Sequence, residues 1–366
     1  MNPFAGASFL LRSGVTAGAY PGASIEVGRR ETVIWRGAFG SLTYEEHAQA
    51  VGADTIYDLA SLTKVIATAT LTMRAIDEGL LTLDDLVADW IADWKGADRQ
   101  PVTIRHLLAH SSGLTAYLPF FRDHTGRVEF EQAIARMPLE YQPGTRSIYS
   151  DLGFILLGFI LETARSGASR SATPGVFDPS ASLAAQFNRI ATLVTDQPLT
   201  FLPPRAWRAR IAPTEHDSWR GRTPRGEVHD ENAWALGGTA GHAGLFGTAA
   251  AVGAFARATL HTIAGNPILA QPGTMQTFIQ RANVPGSSRA LGWDTMRPTS
   301  SCGSLMSSTA IGHTGFTGTS LWIDWERDFY VVLLTNRVHP TRENHLLKGL
   351  RPRIHDAVVE ELEAVG

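Results

Sequence analysis

The sequence contains one cysteine, Cys302, and only three lysines, Lys64, Lys95 and Lys348, against 29 arginines. A single thiol excludes an intrachain disulfide and a zinc site built from cysteines. An excess of one charge sign is also missing. The 32 basic and 35 acidic side chains leave a formal net charge of −3, so nucleic acid is not expected as a bulk electrostatic partner. Long apolar runs are absent: the longest, Leu152 to Leu161, is about half of a membrane span. The first apolar stretch has no Lys or Arg ahead of it, and Asn2, Pro3, Gly6 and Ser8 interrupt it, which makes a poor secretory signal. These absences predict a cytoplasmic protein with no membrane partner. The 366 residues, 44% hydrophobic and 18% charged, fit a globular chain of about two domains whose core needs no covalent staple. The scarcity of lysine reads as arginine-biased codon usage, and it makes any lysine in a chemically sensible setting informative.

Common catalytic motifs are absent as well. There is no G-x-S-x-G elbow, no Gly-Lys pair for a phosphate loop, no H-E-x-x-H and no G-x-G-x-x-G. His106 and His110 are four apart, yet no carboxylate accompanies them, and Leu107, Leu108 and Ala109 between them look like packing. They read as structural histidines. Cys302 has no activating neighbour in sequence and reads as inert. No metal ligand set and no cofactor is predicted.

The first sixty residues read as strand material, with Ala23–Val27 and Thr32–Trp35 forming a hairpin across Gly28–Glu31. Ser61–Gly79 reads as a helix stopped by Gly79, and further helices are expected at Leu83–Trp94, Thr103–His110 and Ala249–Ile263. Ser166–Ser182 is a Ser/Ala/Gly/Pro-rich connection, and Pro198–Val228 reads as solvated loop. Thr319–Asp324 and Phe329–Thr335 form a second hairpin. Glu343–Leu362 is a helix that Pro352 should kink or divide. Strands at both ends around a helical middle predict an α/β (α+β) fold. Its antiparallel sheet is built from both chain ends and flanked by helices, with a mostly helical insertion. The expected division is 1–75 with 240–366 for the sheet part and 76–239 for the insertion.

What carries chemistry is Ser61-Leu62-Thr63-Lys64. Spacing i, i+3 on a helix brings both side chains to one face. A serine hydroxyl needs an adjacent base, and burial lowers a lysine pKa. With 23 serines and three lysines, one such match arises by chance about one time in five. Two further segments raise its meaning. Tyr149-Ser150-Asp151 opens the apolar helix and offers a phenol at a helix start. His313-Thr314-Gly315 lies on a strand of the C-terminal hairpin region, ahead of Phe316, where a backbone N–H can serve an oxyanion.

In this order the segments resemble the serine hydrolases of the β-lactamase and penicillin-binding-protein superfamily. The nearest likeness is to the class C-like branch with its esterases, D-aminopeptidases and amidases. Asp58–Lys64 is similar to the nucleophile motif, Thr103–Leu114 to a second, structural signature, and Tyr149–Asp151 with Gly153-Phe154 to the third. Ala240–Phe246 and His313–Gly315 complete the set. The resemblance implies a β-lactamase/transpeptidase-like fold and Ser61 as the acylated nucleophile. It implies Lys64 as base or proton relay, Tyr149 beside both, and the backbone N–H groups of Ser61 and Phe316 as the oxyanion hole. Asp151, His313, Thr314 and Gly315 are the implied substrate contacts. Which of Lys64 and Tyr149 is the base stays open. Two positions depart from the pattern. Asp151 stands where Asn is frequent, and touching Lys64 it would favour the ammonium and push the base role toward Tyr149. His313 stands where penicillin-directed members carry Lys. A neutral imidazole holds a substrate carboxylate less well, and should gain charge as pH falls from about 8 to 6.

The expected function is hydrolysis of a small ester, amide or peptide-like substrate through an acyl-enzyme, as in a carboxylesterase, D-aminopeptidase or peptidoglycan-fragment amidase. The alternatives are a β-lactamase or D,D-carboxypeptidase and, in a different class, a non-catalytic ligand sensor or scaffold. The run Tyr117–Phe121 either walls the pocket or packs the helical region, and the glycines from Gly237 to Gly247 read as backbone turns beside the site.

Overall fold

The computed structural model describes residues 3–167 and 178–365. Nine strands are present among them: β1 Gly22–Gly28, β2 Val33–Gly40, β3 Tyr57–Asp58, β4 Leu199–Phe201, β5 Leu245–Gly247, β6 Asp294–Thr295, β7 Ile311–Thr314, β8 Ser320–Asp324 and β9 Phe329–Thr335. Six form one antiparallel sheet in the order β2-β1-β9-β8-β7-β6. The sheet therefore joins the two chain ends, with β1 pairing β9 from Ala23↔Thr335 to Gly28↔Tyr330. A smaller sheet, β3-β5-β4, lies beneath the nucleophile segment.

β1 and β9 are buried at every position, because helices cover both sheet faces, and the polar Ser24 and Glu26 of β1 are hydrogen-bonded where they are buried. One face packs Ile25, Val27, Val331 and Leu333 against Leu11, Ile354 and Val358 of the terminal helices Ala5–Thr16 and Leu346–Val365, and against Phe4 just ahead of the first. The other packs Leu321, Ile323, Val332 and Leu334 into the larger core, which includes the helices Ala249–Ile263 and Asp151–Arg165. Each such aliphatic side chain contributes about 1.5–3 kcal/mol on burial. The remaining helices, Thr70–Asp77, Ile104–Leu108, Gly126–Arg136, Leu183–Val194, Glu231–Ala235 and Pro272–Ile279, pack around this core.

Both predicted hairpins form, and so does the Ala249–Ile263 helix. Three expectations are corrected. The N-terminal stretch read as strand material contains the helix Ala5–Thr16. Leu83–Trp94 is not a helix but a single tight turn at Val87–Asp89, because Val87 N–H bonds Val102 O and Leu86 bridges Thr103. Pro352 does not divide the last helix, which runs from Leu346 to Val365 with Leu347, Ile354, Val358 and Leu362 holding both halves on the sheet. Most of the Ser166–Ser182 connection lies outside the described residues. Among the described residues no helix is long and apolar enough to cross a membrane.

Candidate active site

Ser61 sits in the turn that links β3 to its helix. Ala60 adopts a left-handed φ of 47°, a conformation that costs energy without glycine and persists only where the surroundings fix it. Here they do. Asp58 is buried, its carboxylate accepting from Ala60 N at 2.8 Å and His229 N at 2.6 Å, while Leu59 N bonds Leu245 O. Burial pushes the Asp58 carboxyl pKa up, partly offset by its bonds from His229 and Ala60. Thr63 Oγ1 donates to Ala60 O and accepts from Leu245 N. The helix that follows is wound as a π-helix over Lys64–Ala69 before becoming α-helical to Asp77, a form found frequently at functional sites.

Lys64 is fully buried beneath Ser61. Its Nζ donates to Ser61 Oγ at 3.0 Å and to His242 O at 3.0 Å, and pairs with Asp151 Oδ1 at 2.7 Å. Desolvation alone would lower its pKa. The Asp151 carboxylate and the Tyr149 hydroxyl more than offset that, and the net direction is upward. The carbonyl of His242 reaches Lys64 because Gly241 lies against the Asp151–Arg165 helix, where a Cβ would meet Phe154 O at 2.0 Å. His242 Nε2 is fixed by Asp230 Oδ1 at 2.8 Å.

Tyr149 is held from behind by the Thr103–Leu114 signature. His110 Nδ1 accepts from Ser150 N at 3.0 Å, which places the imidazole proton on Nε2, and its ring lies 4.6 Å from that of Tyr149. Ser150 caps the next helix through Gly153 N. Lys64 Nζ is 4.9 Å from the Tyr149 ring centroid, and the Tyr149 hydroxyl lies within interaction range of both Lys64 and Ser61. Burial raises the Tyr149 pKa, and Lys64 only partly offsets this.

β7 closes the opposite wall. Gly315 passes so near the Ser61 turn that a Cβ would meet Thr319 Oγ1 at 2.1 Å and Leu59 O at 2.6 Å. Thr317 and Thr319 donate to Asp58 O and Leu59 O. This lashing sets Phe316 beside Ser61. No group among the described residues accepts from the backbone N–H of Ser61 or Phe316. Both remain available to an oxygen in the cavity, as an oxyanion site requires.

That cavity has a volume of about 660 Å³, and its walls include Ser61, Tyr149, Asp151, His313, Thr314, Gly315 and Phe316. The fold thus brings together every residue singled out in the sequence, with Lys64 directly below. Asp151 lines the cavity and also pairs with Lys64, the contact its place in the Tyr149–Asp151 motif suggested. One reading changes. His313, expected to gain charge near pH 6, is 3% exposed and donates Nδ1–H to Thr314 O at 2.9 Å. Burial, with Arg289 and Lys64 nearby, holds its pKa well below the usual histidine range. Of the Tyr117–Phe121 run, Tyr117 lines the cavity, whereas Phe120 packs on Phe130 and Phe121 on Trp219.

Sequence reasoning missed Arg289. Its guanidinium lies 5.0 Å from the Tyr149 ring centroid, faces the cavity, and has only a loose counter-ion, Asp294 at 4.0 Å. It also missed Arg337, Arg342, Lys348 and Arg351 on the same walls. Nothing in their local sequence marks them; the scarcity of lysine could have flagged Lys348.

The family model for Beta-lactamase matches residues 10–352. The chain belongs to the beta-lactamase family. As a member it is a serine hydrolase with the mixed helix and antiparallel-sheet fold of that family. It is 31% identical over 347 residues to an Escherichia coli O157:H7 protein, covering 87% of this chain and 79% of the relative, which carries the provisional name D-alanyl-D-alanine carboxypeptidase. A Salmonella agona protein of the same provisional name is 30% identical, covering 93% and 86%. In structure the chain is similar to EstCE1, a hydrolase with promiscuous acyltransferase activity, at TM-score 0.74 and 22% identity over 98% of both chains. It is also similar to the octameric penicillin-binding protein homologue from Pyrococcus abyssi, at TM-score 0.72 and 20% identity over 98% of this chain and 78% of that one.

Proposed function

We propose that this beta-lactamase-family protein hydrolyses a small ester or amide, with Ser61 as the nucleophile. The observation that carries the reading is the 3.0 Å bond from buried Lys64 Nζ to Ser61 Oγ, with the Tyr149 hydroxyl facing the same two groups. Ser61 Oγ attacks the carbonyl carbon, and the charge forming on the carbonyl oxygen is met by the N–H groups of Ser61 and Phe316. The hydroxyl proton passes to the Lys64–Tyr149 pair and from there to the leaving group, which departs to leave an acyl ester on Ser61. Water then repeats the sequence and restores the hydroxyl. Because Asp151 favours the Lys64 ammonium, Tyr149 is the better proton acceptor, working as a phenolate stabilised by that ammonium.

A second reading, D,D-carboxypeptidase or β-lactamase activity, is favoured by Arg289. It offers the cavity a fixed cation close to neutral His313, and such substrates present a carboxylate. Relatives bearing the carboxypeptidase name point the same way. The test is a fluorophosphonate label followed by mass spectrometry, then turnover of p-nitrophenyl acetate, a D-Ala-D-Ala peptide and a chromogenic cephalosporin. Ser61 should carry the label and the simple ester should have the higher kcat/KM. Label on another residue would end the assignment, and a faster cephalosporin or peptide would put the second reading first.

A further inference from the structure

Five cationic residues line the cavity, Arg289, Arg337, Arg342, Lys348 and Arg351, against three carboxylates, Asp151, Asp230 and Glu231. All three carboxylates are committed. Asp151 pairs with Lys64 at 2.7 Å, Asp230 with His242 at 2.8 Å and Glu231 with Arg342 at 2.6 Å. Arg337 spends its guanidinium on the carbonyls of Phe316, Arg342 and Asn344.

Lys348 and Arg351 differ. They stand three residues apart on the first turns of the last helix, on one face. Among the described residues neither has a side-chain hydrogen bond, and no carboxylate lies within 4.0 Å of either, the ion-pair limit met by the other cavity pairs. Arg351 Nε is buried without a partner. Burial, helped by the neighbouring cation Arg337, pushes the Arg351 pKa down to about 10. A half-buried guanidinium with an unpaired Nε, beside a second cation, favours the arrival of an anion. Ser301, on the same wall, accepts from Trp322 Nε1 at 3.1 Å, which leaves its own O–H free to donate.

We propose that Arg351 and Lys348, assisted by Ser301, form an anion-binding lobe of the cavity that takes a carboxylate of the substrate remote from the bond cleaved at Ser61. The substrates are thus small esters or amides whose acyl part ends in an acid group. The proposal rests on the Ser61 reading for the word substrate, but the lobe itself does not need catalysis. A planar guanidinium can hold a carboxylate through two parallel bonds, with the ammonium adding a point charge.

The experiment compares p-nitrophenyl hydrogen adipate and hydrogen suberate with the neutral hexanoate and octanoate. It uses the wild type, Arg351→Gln, Arg351→Lys and Lys348→Gln. The ratio of kcat/KM, anionic ester to neutral ester, should fall about tenfold in Arg351→Gln, chiefly through KM, and less in Lys348→Gln, while Arg351→Lys keeps most of it. In parallel, suberate binding is measured by calorimetry on Ser61→Ala protein with and without Arg351→Gln, and should be lost in the double variant. An unchanged ratio in both glutamine variants, or suberate affinity indifferent to Arg351, overturns the lobe even if every ester is hydrolysed. Arg351-dependent suberate binding without hydrolysis of any ester sustains the lobe and overturns the Ser61 reading instead. Should Arg351→Gln fail to fold, Lys348→Gln carries both measurements, since that side chain is exposed.

Discussion

Two fully buried charges, Glu26 in the sheet and Lys64 below the cavity, invite comparison. Each is ringed by opposite charge and a tyrosine. Glu26 accepts from Arg36 at 2.6 Å, from Arg257 at 2.8 Å and from Tyr330 Oη at 2.7 Å. Gly253 makes room for it, since a Cβ there would lie 1.7 Å from Glu26 Oε1. None of its partners is a nucleophile, and Glu26 itself lines no described cavity. Lys64 has Asp151 and Tyr149 in the same roles, but one of its bonds runs to a hydroxyl on a cavity wall. Buried charge clusters therefore do not mark a site by themselves; a reactive group among the partners, open to a cavity, does.

Removing that reactive group gives the largest effect. Ser61→Ala should lower kcat/KM for the best ester by about ten-thousandfold or more while leaving Tm nearly unchanged, because Ser61 is only partly buried and Lys64 keeps its bonds to His242 O and Asp151 without it. Lys64→Ala and Tyr149→Phe should each cost nearly as much, and the double variant hardly more than either, because the two share one proton path. A double defect equal to the product of the single ones would separate them. The same operation on the sheet cluster should do the reverse. Glu26→Gln removes the buried charge that Arg36 and Arg257 reach from the solvent side and should cost about 1–3 kcal/mol of stability, read by urea unfolding, with kcat of the folded protein intact. Loss of kcat without loss of stability would erase the distinction between the clusters.

The sheet was legible because β1 and β9 are rich in apolar and β-branched residues and flanked by hairpin signals. The site was legible because Ser61 and Lys64 are local and Tyr149 and His313 follow in a recognisable order. The Ala5–Thr16 helix was not. Its glycines and serines are weak helix formers, and its first N–H groups, those of Gly6 and Ala7, are capped by the carboxylate of Glu361, more than 350 residues away. Leu83–Trp94 failed for a related reason: the backbone of Leu83–Val87 pairs with residues 102 to 105, which leaves only short turns over Leu86–Trp94. Arg289 and Arg351 sit in unremarkable local sequence, and only the closed fold turns them toward the cavity.

A smaller perturbation sharpens the comparison within the site. Asp151 raises the pKa of both Lys64 and Tyr149. The reactive form is one proton poorer than the resting pair, so activity should rise with pH through an acid limb. Asp151→Asn removes the carboxylate and lowers both pKa values, which should move that limb down by about one pH unit. A limb that stays or moves up would exclude Asp151 as the group that tunes the pair.

The smallest expected effect on activity concerns His313. It was expected to become cationic near pH 6 and so to improve the handling of anionic substrates. In the folded chain it is enclosed with His110 and Tyr149, next to the fixed charges of Arg289 and Lys64, and its pKa lies well below the ordinary value. It stays neutral from pH 8 to 6, so kcat/KM for an anionic ester relative to its neutral counterpart should be flat across that range. His313→Asn should leave the ratio flat. The consequence appears in stability instead. His110, His313 and His355, the last lowered to about 3, are all held neutral by burial, helped by neighbouring cations. Below about pH 6.5 the unfolded chain binds protons that the folded chain refuses. Stability should therefore be complete above that pH and fall as pH drops below it, by up to about 1.4 kcal/mol per pH unit for each histidine. Measured by urea unfolding between pH 7 and 5, His313→Asn should remove one histidine's share of this slope. An unchanged slope in the variant, or a substrate ratio that climbs toward pH 6 in the wild type, would mean that His313 takes up a proton inside the folded protein.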